Sequence, residues 1–134
     1  MKVYLDANFF VFIRMDKTQK GDKAGGILKD IVEGKKEAVT STLALDEVMW
    51  TFIKNKRKEE IRNFLEELYQ VPHLTITTGS TLLPLRAIDF IERYNLKPRD
   101  ACHLAIMQEE HIEVIVSDDS DFDRVKFIKR IRLA

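Results

Sequence analysis

The sequence predicts an α/β protein built on a parallel sheet. Two short apolar runs end in aspartates: residues 2–5 precede Asp6, and residues 114–117 precede Asp118 and Asp119. Such runs are typical of buried parallel strands. Strand-like and helix-like segments alternate throughout the chain, which also favours this class. Since open α/β sheets carry their chemistry at the carboxyl ends of strands, these aspartates are candidate functional groups.

The composition predicts one soluble domain, residues 1–134. Lys plus Arg and Asp plus Glu number 22 each, which excludes a nucleic-acid-binding protein recognisable by a strongly basic charge alone. Cys102 is the single cysteine, so no intramolecular disulfide can form and a reducing cytoplasm is the simplest compartment. No apolar run approaches the length of a membrane span, and we expect no membrane association.

The first half of the chain alternates between strand and helix signals. Apolar residues 7–13 predict a short helix after the first strand, and residues 16–21 read as a polar loop. Asp22 is then expected to cap a helix that runs to about Glu33, with Gly34 in the stop position. Residues 37–40 predict a second strand, and Ser41 or Thr42 is placed to cap the helix that follows.

The second half continues the pattern. Helical spacing predicts helices over residues 43–53 and 61–69, and residues 73–77 form an alternating third strand. A helix is expected from about Ser80 to Tyr94, with Pro84 in or near its first turn. Further elements are a helix opened by Pro98, a fourth strand at 113–117 and a last edge strand within 127–133.

Four acidic residues stand near element ends. Asp6 and Asp119 follow strands, Glu47 lies in the second turn of a helix, and Asp100 lies in a first turn where the helix dipole favours its ionised form. In a parallel sheet the strand-to-helix turns share one edge, so these carboxylates are expected to gather there. Their mutual repulsion would be relieved by a divalent cation, and oxygen-only ligation favours Mg²⁺ or Mn²⁺ over zinc.

Four segments together resemble the PIN domain family, and within it the toxin-like ribonucleases of the VapC group. They are residues 4–8 (YLDAN), Thr40-Ser41 followed by Glu47, residues 98–105 (PRDACHLA) and residues 116–122 (VSDDSDF). None is specific alone, but their order and spacing are. The resemblance implies a three-layer α/β/α fold with a parallel sheet of four to five strands.

The resemblance also implies a metal-dependent endoribonuclease with Asp6, Glu47, Asp100 and Asp119 as catalytic and metal-binding residues, and Asp121 as a fifth ligand. In the family's closing motif the acidic ligand comes two positions after the Ser, which selects Asp119 over Asp118. The crowding of acids there leaves Asp118 and Asp121 open as the main fourth ligand. Asn8 and Ser117 match positions that border the site.

Single-stranded or looped RNA is the expected substrate. Arg14 and Arg99 are candidate RNA contacts, whereas His103 is expected to be a core residue or to support a ligand. The resemblance further implies a small antitoxin partner and a homodimer, for which Trp50, Phe52 and Phe64 are expected to supply exposed apolar surface.

Two other functions compete with the nuclease. The first is a catalytically silent PIN-like module that binds RNA or protein, although such modules usually lack one of the four acids. The second is a receiver-like or small-phosphatase domain with Asp6 as phospho-acceptor or nucleophile. The second alternative gives Glu47 no role, and its expected lysine and hydroxyl partners are not recognisable in the sequence.

Overall fold

The computed structural model describes residues 1–133, in which strands and helices alternate as the sequence predicts. The strands are β1 (Lys2–Leu5), β2 (Glu37–Ser41), β3 (Leu74–Thr77), β4 (Val114–Val116) and β5 (Lys129–Ile131). The α-helices are α1 (Ala7–Met15), α2 (Gln19–Val32), α3 (Thr42–Lys54), α4 (Ile61–Leu68), α5 (Leu83–Tyr94) and α6 (Pro98–Glu109). Two 3₁₀ turns, Lys58–Glu60 and Ser120–Arg124, complete the order.

All strand pairings are parallel, in the order β3-β2-β1-β4-β5. The central strand β1 pairs through Tyr4 with both Val39 and Ile115. The chain proceeds from β1 outward through β2 and β3, then returns to start β4 on the other side of β1. The strand order therefore reverses between β1 and β4, where a crevice forms beyond the carboxyl ends of the strands.

Helices cover both faces of the sheet. Val3 and Leu5 of β1 point into a core formed with α1 to α4, whereas Tyr4 points into a second core formed with α5 and α6. This alternation follows from the period of two along a strand, and both faces are buried because the sheet is parallel. The three-layer α/β/α architecture with five parallel strands confirms the predicted fold class.

Two helix starts differ from the prediction. Helix α2 begins at Gln19 rather than Asp22, with Thr18 in the N-cap position, so the polar loop is shorter than expected. Gly21 permits this early start because a Cβ there would lie 1.9 Å from the backbone oxygen of Asp16. Helix α5 begins at Leu83 rather than Ser80, since the Ser80 hydroxyl instead accepts a hydrogen bond from the Leu82 amide.

The predicted apolar interface is wrong at two of its three residues. Trp50 is exposed, but Phe52 and Phe64 are buried and pack against each other with ring centroids 5.2 Å apart. Successive helix residues are rotated by about 100°, so Trp50 and Phe52 point to nearly opposite sides of α3. Phe52 and Phe64 therefore belong to the core.

Within residues 1–133, every helix is too short or too polar to cross a bilayer.

Candidate active site

The four acids singled out in the sequence line one cleft. Asp6, Glu47, Asp100 and Asp119 surround a space of about 290 Å³ beyond the carboxyl ends of the strands. They come from the end of β1, from α3, from the first turn of α6 and from the loop after β4. No lysine or arginine is among the described residues that line this cleft. Its wall is therefore anionic wherever these side chains are ionised.

Asp6 is the most enclosed of the four carboxylates. It is the N-cap of α1, where its Oδ1 accepts a 2.8 Å hydrogen bond from the Ala7 amide. Its Oδ2 accepts a 2.6 Å hydrogen bond from the Ser117 hydroxyl. These two donors orient the carboxylate, and each oxygen keeps a further lone pair for another partner.

Ser117 links the acids at the ends of β1 and β4. Besides donating to Asp6, its Oγ accepts hydrogen bonds from the Asp119 amide at 3.0 Å and from the Asn8 side-chain nitrogen at 3.3 Å. The Asn8 side-chain oxygen in turn accepts from the Asp118 amide. Asn8 and Ser117 thus border the cleft, and they fix the backbone of the loop that carries Asp119.

The crowded acids after β4 separate into different environments. Asp118 forms a 2.7 Å ion pair with Lys20, and the two oxygens of Asp123 accept a bidentate pair of hydrogen bonds from Arg130. By contrast, Asp119 and Asp121 place carboxylate oxygens within 4.8 Å of those of Asp100. The structure therefore favours Asp119, with Asp121 beside it, over Asp118 as the acid that faces the cleft.

Asp100 is half-buried and lies among other carboxylates. Burial, together with the neighbouring charges of Asp119, Asp6 and Asp121, raises its pKa from 3.8 to about 6 against the opposing effect of His103. Asp100 is thus largely ionised at neutral pH, but at an energetic cost. A cation placed among these carboxylates would remove that cost.

Glu47 is held by His103. The imidazole Nε2 lies 2.6 Å from Glu47 Oε1 and 3.7 Å from Asp6 Oδ1, and the His103 side chain is fully buried. Burial opposes the charged imidazole, yet the hydrogen bond to Glu47 and the nearby carboxylates raise the pKa of His103 overall. The sequence signal for this contact was weak: His103 stands one turn after Asp100 on α6, on the face toward the sheet.

A buried hydrogen-bond chain continues behind His103. The Tyr4 hydroxyl lies 2.7 Å from His103 Nδ1 and 2.7 Å from the Ser41 hydroxyl, and Ser41 caps α3 by accepting from the Ala44 amide. Burial raises the pKa of Tyr4 well above its usual value, so Tyr4 keeps its proton. Sequence reasoning assigned Tyr4 only to a strand.

The two arginines proposed as RNA contacts lie in different settings. Arg14 is at the far end of α1, where it forms a 2.6 Å ion pair with Glu67 and packs over the Phe64 ring. Its charge is therefore engaged away from the cleft. Arg99 is exposed on the first turn of α6, next to Asp100, and is the better placed of the two.

The donor set suits a hard divalent cation. Asp100, Asp119 and Asp121 offer one group of converging oxygens, and Asp6 and Glu47 lie with His103 in a second group. Carboxylate oxygens without thiolates are the ligands that Mg²⁺ and Mn²⁺ prefer. The residues present therefore fit a divalent metal of this type.

The matching protein-family model is that of the PIN domain, over residues 3–128. The chain belongs to the PIN domain family. This PIN domain is 29% identical over 106 residues to Ribonuclease VapC13 from Mycobacterium tuberculosis, covering 78% of this chain and 80% of that protein.

Solved structures share the fold of this PIN domain. VapBC2 from Rickettsia felis, bound to a DNA fragment from its promoter, matches with a TM-score of 0.76 and 18% identity over 98% of both chains. A toxin–antitoxin complex from Klebsiella pneumoniae matches with a TM-score of 0.71 and 19% identity over 98% of both chains.

Proposed function

We propose that this PIN domain is a divalent-metal-dependent endoribonuclease that uses Mg²⁺ or Mn²⁺. The observation that carries the proposal is the convergence of Asp6, Glu47, Asp100 and Asp119 on one cleft without a lysine or arginine among its described lining residues. The similarity to Ribonuclease VapC13 supports RNA as the substrate class. The presence of all four acids supports an active enzyme over a silent binding module.

The protein's own groups have distinct tasks in this reaction. Asp6 is oriented by the Ala7 amide and Ser117, and Glu47 is oriented by His103, so both carboxylates are preorganised to bind the ion. Asp100 and Asp119 supply further oxygens and, with Asp121, most of the local negative charge. When bound, the metal would supply Lewis-acid activation of the scissile phosphate and of the attacking water.

We further propose that the substrate is single-stranded or looped RNA. The cleft lies beyond the carboxyl ends of the central strands, where an exposed phosphodiester can approach more readily than the backbone of a stacked duplex. Arg99 is exposed beside Asp100 and would contact a phosphate next to the cleavage position. The anionic wall repels the RNA backbone until the metal is bound, which makes substrate binding depend on the ion.

The fold is shared with a toxin–antitoxin complex, and we propose that this protein is the toxin of such a pair, held by a small antitoxin in the cytoplasm. We also propose that it forms a homodimer. Co-expression with the product of a neighbouring small gene, followed by co-purification and inhibition of cleavage, tests the first proposal. Light scattering of the purified chain tests the second.

The nuclease proposal is tested with a mixed single-stranded RNA incubated with purified protein in Mn²⁺, Mg²⁺ or EDTA. Wild-type protein is expected to cleave only with metal, and Asp6→Asn and Glu47→Gln are expected to abolish cleavage while remaining folded. Asp46→Asn is the matched control, because Asp46 is exposed beside Glu47 on the same helix. This control is expected to cleave as wild type does.

The other outcomes are equally informative. Cleavage that persists in both Asp6→Asn and Glu47→Gln would come from a contaminating nuclease. Metal binding by calorimetry without cleavage of any RNA tested would favour the silent binding module. Absence of Mn²⁺ binding would overturn the metal-dependent site.

A further inference from the structure

We propose that His103 and Tyr4 are positioning residues that hold Glu47 in its metal-binding orientation. This inference rests on the proposed function. His103 contacts Glu47 through one ring nitrogen and Tyr4 through the other, at 2.6 and 2.7 Å. Neither ring nitrogen is free to bind a metal while these two bonds exist. The imidazole is therefore a support for a ligand rather than a ligand itself.

The hydrogen bonds form one chain with a consistent direction. The Ala44 amide donates to Ser41 Oγ. When the imidazole is neutral and donates through Nε2, its Nδ1 accepts from the Tyr4 hydroxyl, and the Tyr4 hydroxyl accepts from Ser41. In this form the imidazole N–H is on Nε2, and Glu47 Oε1 accepts a hydrogen bond from it. Each hydroxyl in this chain gives one hydrogen and accepts one, so every donor has a partner. The chain therefore favours the Nε2–H tautomer when the imidazole is neutral, and it orients the Glu47 carboxylate.

The chain also connects the elements that supply three of the four acids, Asp6, Glu47 and Asp100. Ser41 caps the helix that carries Glu47, Tyr4 lies two residues before Asp6, and His103 lies three residues after Asp100. Tyr4, Ser41 and His103 are each fully buried. A displacement of α3 or α6 relative to the central strand would break one of these short bonds. The network therefore couples the placement of Glu47 to the placement of Asp6 and Asp100.

The consequence is a specific pattern of metal affinities. Removing a group that orients a metal ligand typically weakens binding by about 10–100-fold. A glutamine side-chain amide reaches about as far as Nε2, whereas an asparagine amide reaches only as far as Nδ1. His103→Gln can therefore still donate to Glu47, and His103→Asn cannot.

The test is a calorimetric titration of each purified variant with MnCl₂. His103→Asn is expected to raise the Kd for Mn²⁺ by about 10–100-fold, and His103→Gln by less than about threefold. Tyr4→Phe removes only the hydroxyl and is expected to raise the Kd for Mn²⁺ by about 3–10-fold. The His103 ring then loses the contact that fixes its orientation, but its Nε2 donor to Glu47 remains. His111→Asn is the control, because His111 is exposed and does not line the cleft.

Two further readouts separate positioning from other roles. Circular dichroism and urea denaturation verify that each variant folds, and Tyr4→Phe keeps the inference testable if His103→Asn does not fold. Pulsed electron paramagnetic resonance of bound Mn²⁺ is expected to show no coordinated nitrogen. A nitrogen coupling that disappears in His103→Gln would make His103 a direct ligand and overturn the positioning role.

The outcomes distinguish this inference from the proposed function. Tight Mn²⁺ binding and RNA cleavage unchanged in His103→Asn and Tyr4→Phe would overturn the positioning role and leave the nuclease intact. Wild-type protein that binds no Mn²⁺ would overturn the metal site and the positioning role with it. Equal losses of Mn²⁺ affinity in His103→Gln and His103→Asn would overturn positioning of Glu47 through the Nε2 donor, because His103→Gln keeps a donor at that place.

Discussion

Replacing Asp100 with asparagine is expected to stabilise the metal-free protein at neutral pH and to abolish its stabilisation by Mn²⁺. Burial and the adjacent carboxylates of Asp119, Asp6 and Asp121 raise the pKa of Asp100 from 3.8 to about 6. Keeping this side chain ionised at pH 7.5 therefore costs folding free energy. Asparagine has nearly the same shape and carries no charge, so it removes the cost.

The expected magnitude follows from that pKa. The interval between 3.8 and about 6 corresponds to roughly 3 kcal/mol if the full repulsion is retained. Water around a half-buried carboxylate screens much of it, which leaves about 1.5 kcal/mol. The α6 dipole favours the ionised form by about 0.5 kcal/mol and acts in the opposite direction. The variant is thus expected to gain about 1 kcal/mol in unfolding free energy, or roughly 3–5 °C in Tm.

The gain depends on pH in a defined direction. The folded protein retains the Asp100 proton to a higher pH than the unfolded chain, so it binds more protons between pH 3.8 and about 6. The stability of the wild type relative to Asp100→Asn therefore falls as pH rises through this window and changes little above it. The variant's advantage is expected to be small near pH 4 and full above pH 7.

Urea denaturation followed by circular dichroism measures this effect in EDTA and in Mn²⁺. At a free Mn²⁺ concentration about 100 times its Kd, the unfolding free energy of the wild type is expected to rise by roughly 2.7 kcal/mol. The unfolding free energy of Asp100→Asn is expected to rise far less. Asp46→Asn, an exposed acid on α3, is the control and is expected to change neither value. A metal-free Asp100→Asn protein less stable than the wild type at pH 7.5 would refute the repulsion argument and make Asp100 a helix-stabilising residue.

Three other predictions test the site and the core. Asp119→Asn is expected to reduce the initial rate of metal-dependent cleavage of labelled RNA by about 100-fold or more, whereas Asp118→Asn is expected to keep most of that rate. A larger loss in Asp118→Asn than in Asp119→Asn would make Asp118 the metal ligand. Ser117→Ala is expected to lower the unfolding free energy by about 1–3 kcal/mol and to weaken Mn²⁺ binding, because it removes the buried hydroxyl that contacts Asp6, the Asp119 amide and Asn8. Phe52→Ala is expected to lower the unfolding free energy, measured by urea denaturation, by about 3–5 kcal/mol, and Trp50→Ala by less than about 0.5 kcal/mol. Similar losses in the two variants would contradict the different burial of the two side chains.

Much of the fold can be predicted from the local pattern of apolar and capping residues. The apolar runs at both ends of the chain predict β1 and β4, and Pro98 predicts the start of α6. These elements depend on short-range periodicity and capping, which a single sequence displays directly. The start of α2 was misplaced because it depends on the close approach of Gly21 to the Asp16 carbonyl, a contact that propensity does not reveal.

The burial of Phe52 and Phe64 was wrongly predicted for a related reason. Each lies on an amphipathic helix whose inner face is identifiable, but the partner that covers that face comes from another helix. Trp50, two residues before Phe52, lies on the exposed side. Helical period assigns residues to faces, and only packing decides which face is covered.

The sequence by itself determined that this is an α/β protein with acids at the ends of its strands and helices, because chain order and side-chain period are local properties. Motif spacing already favoured Asp119, but only the tertiary structure showed that Asp118 pairs with Lys20 while Asp119 lines the cleft, and that His103 joins Glu47 to Tyr4. His103 is 56 positions from Glu47 and 99 positions from Tyr4 in the chain. Such contacts arise from the packing of α3 and α6 against the central strand, which no short stretch of sequence encodes.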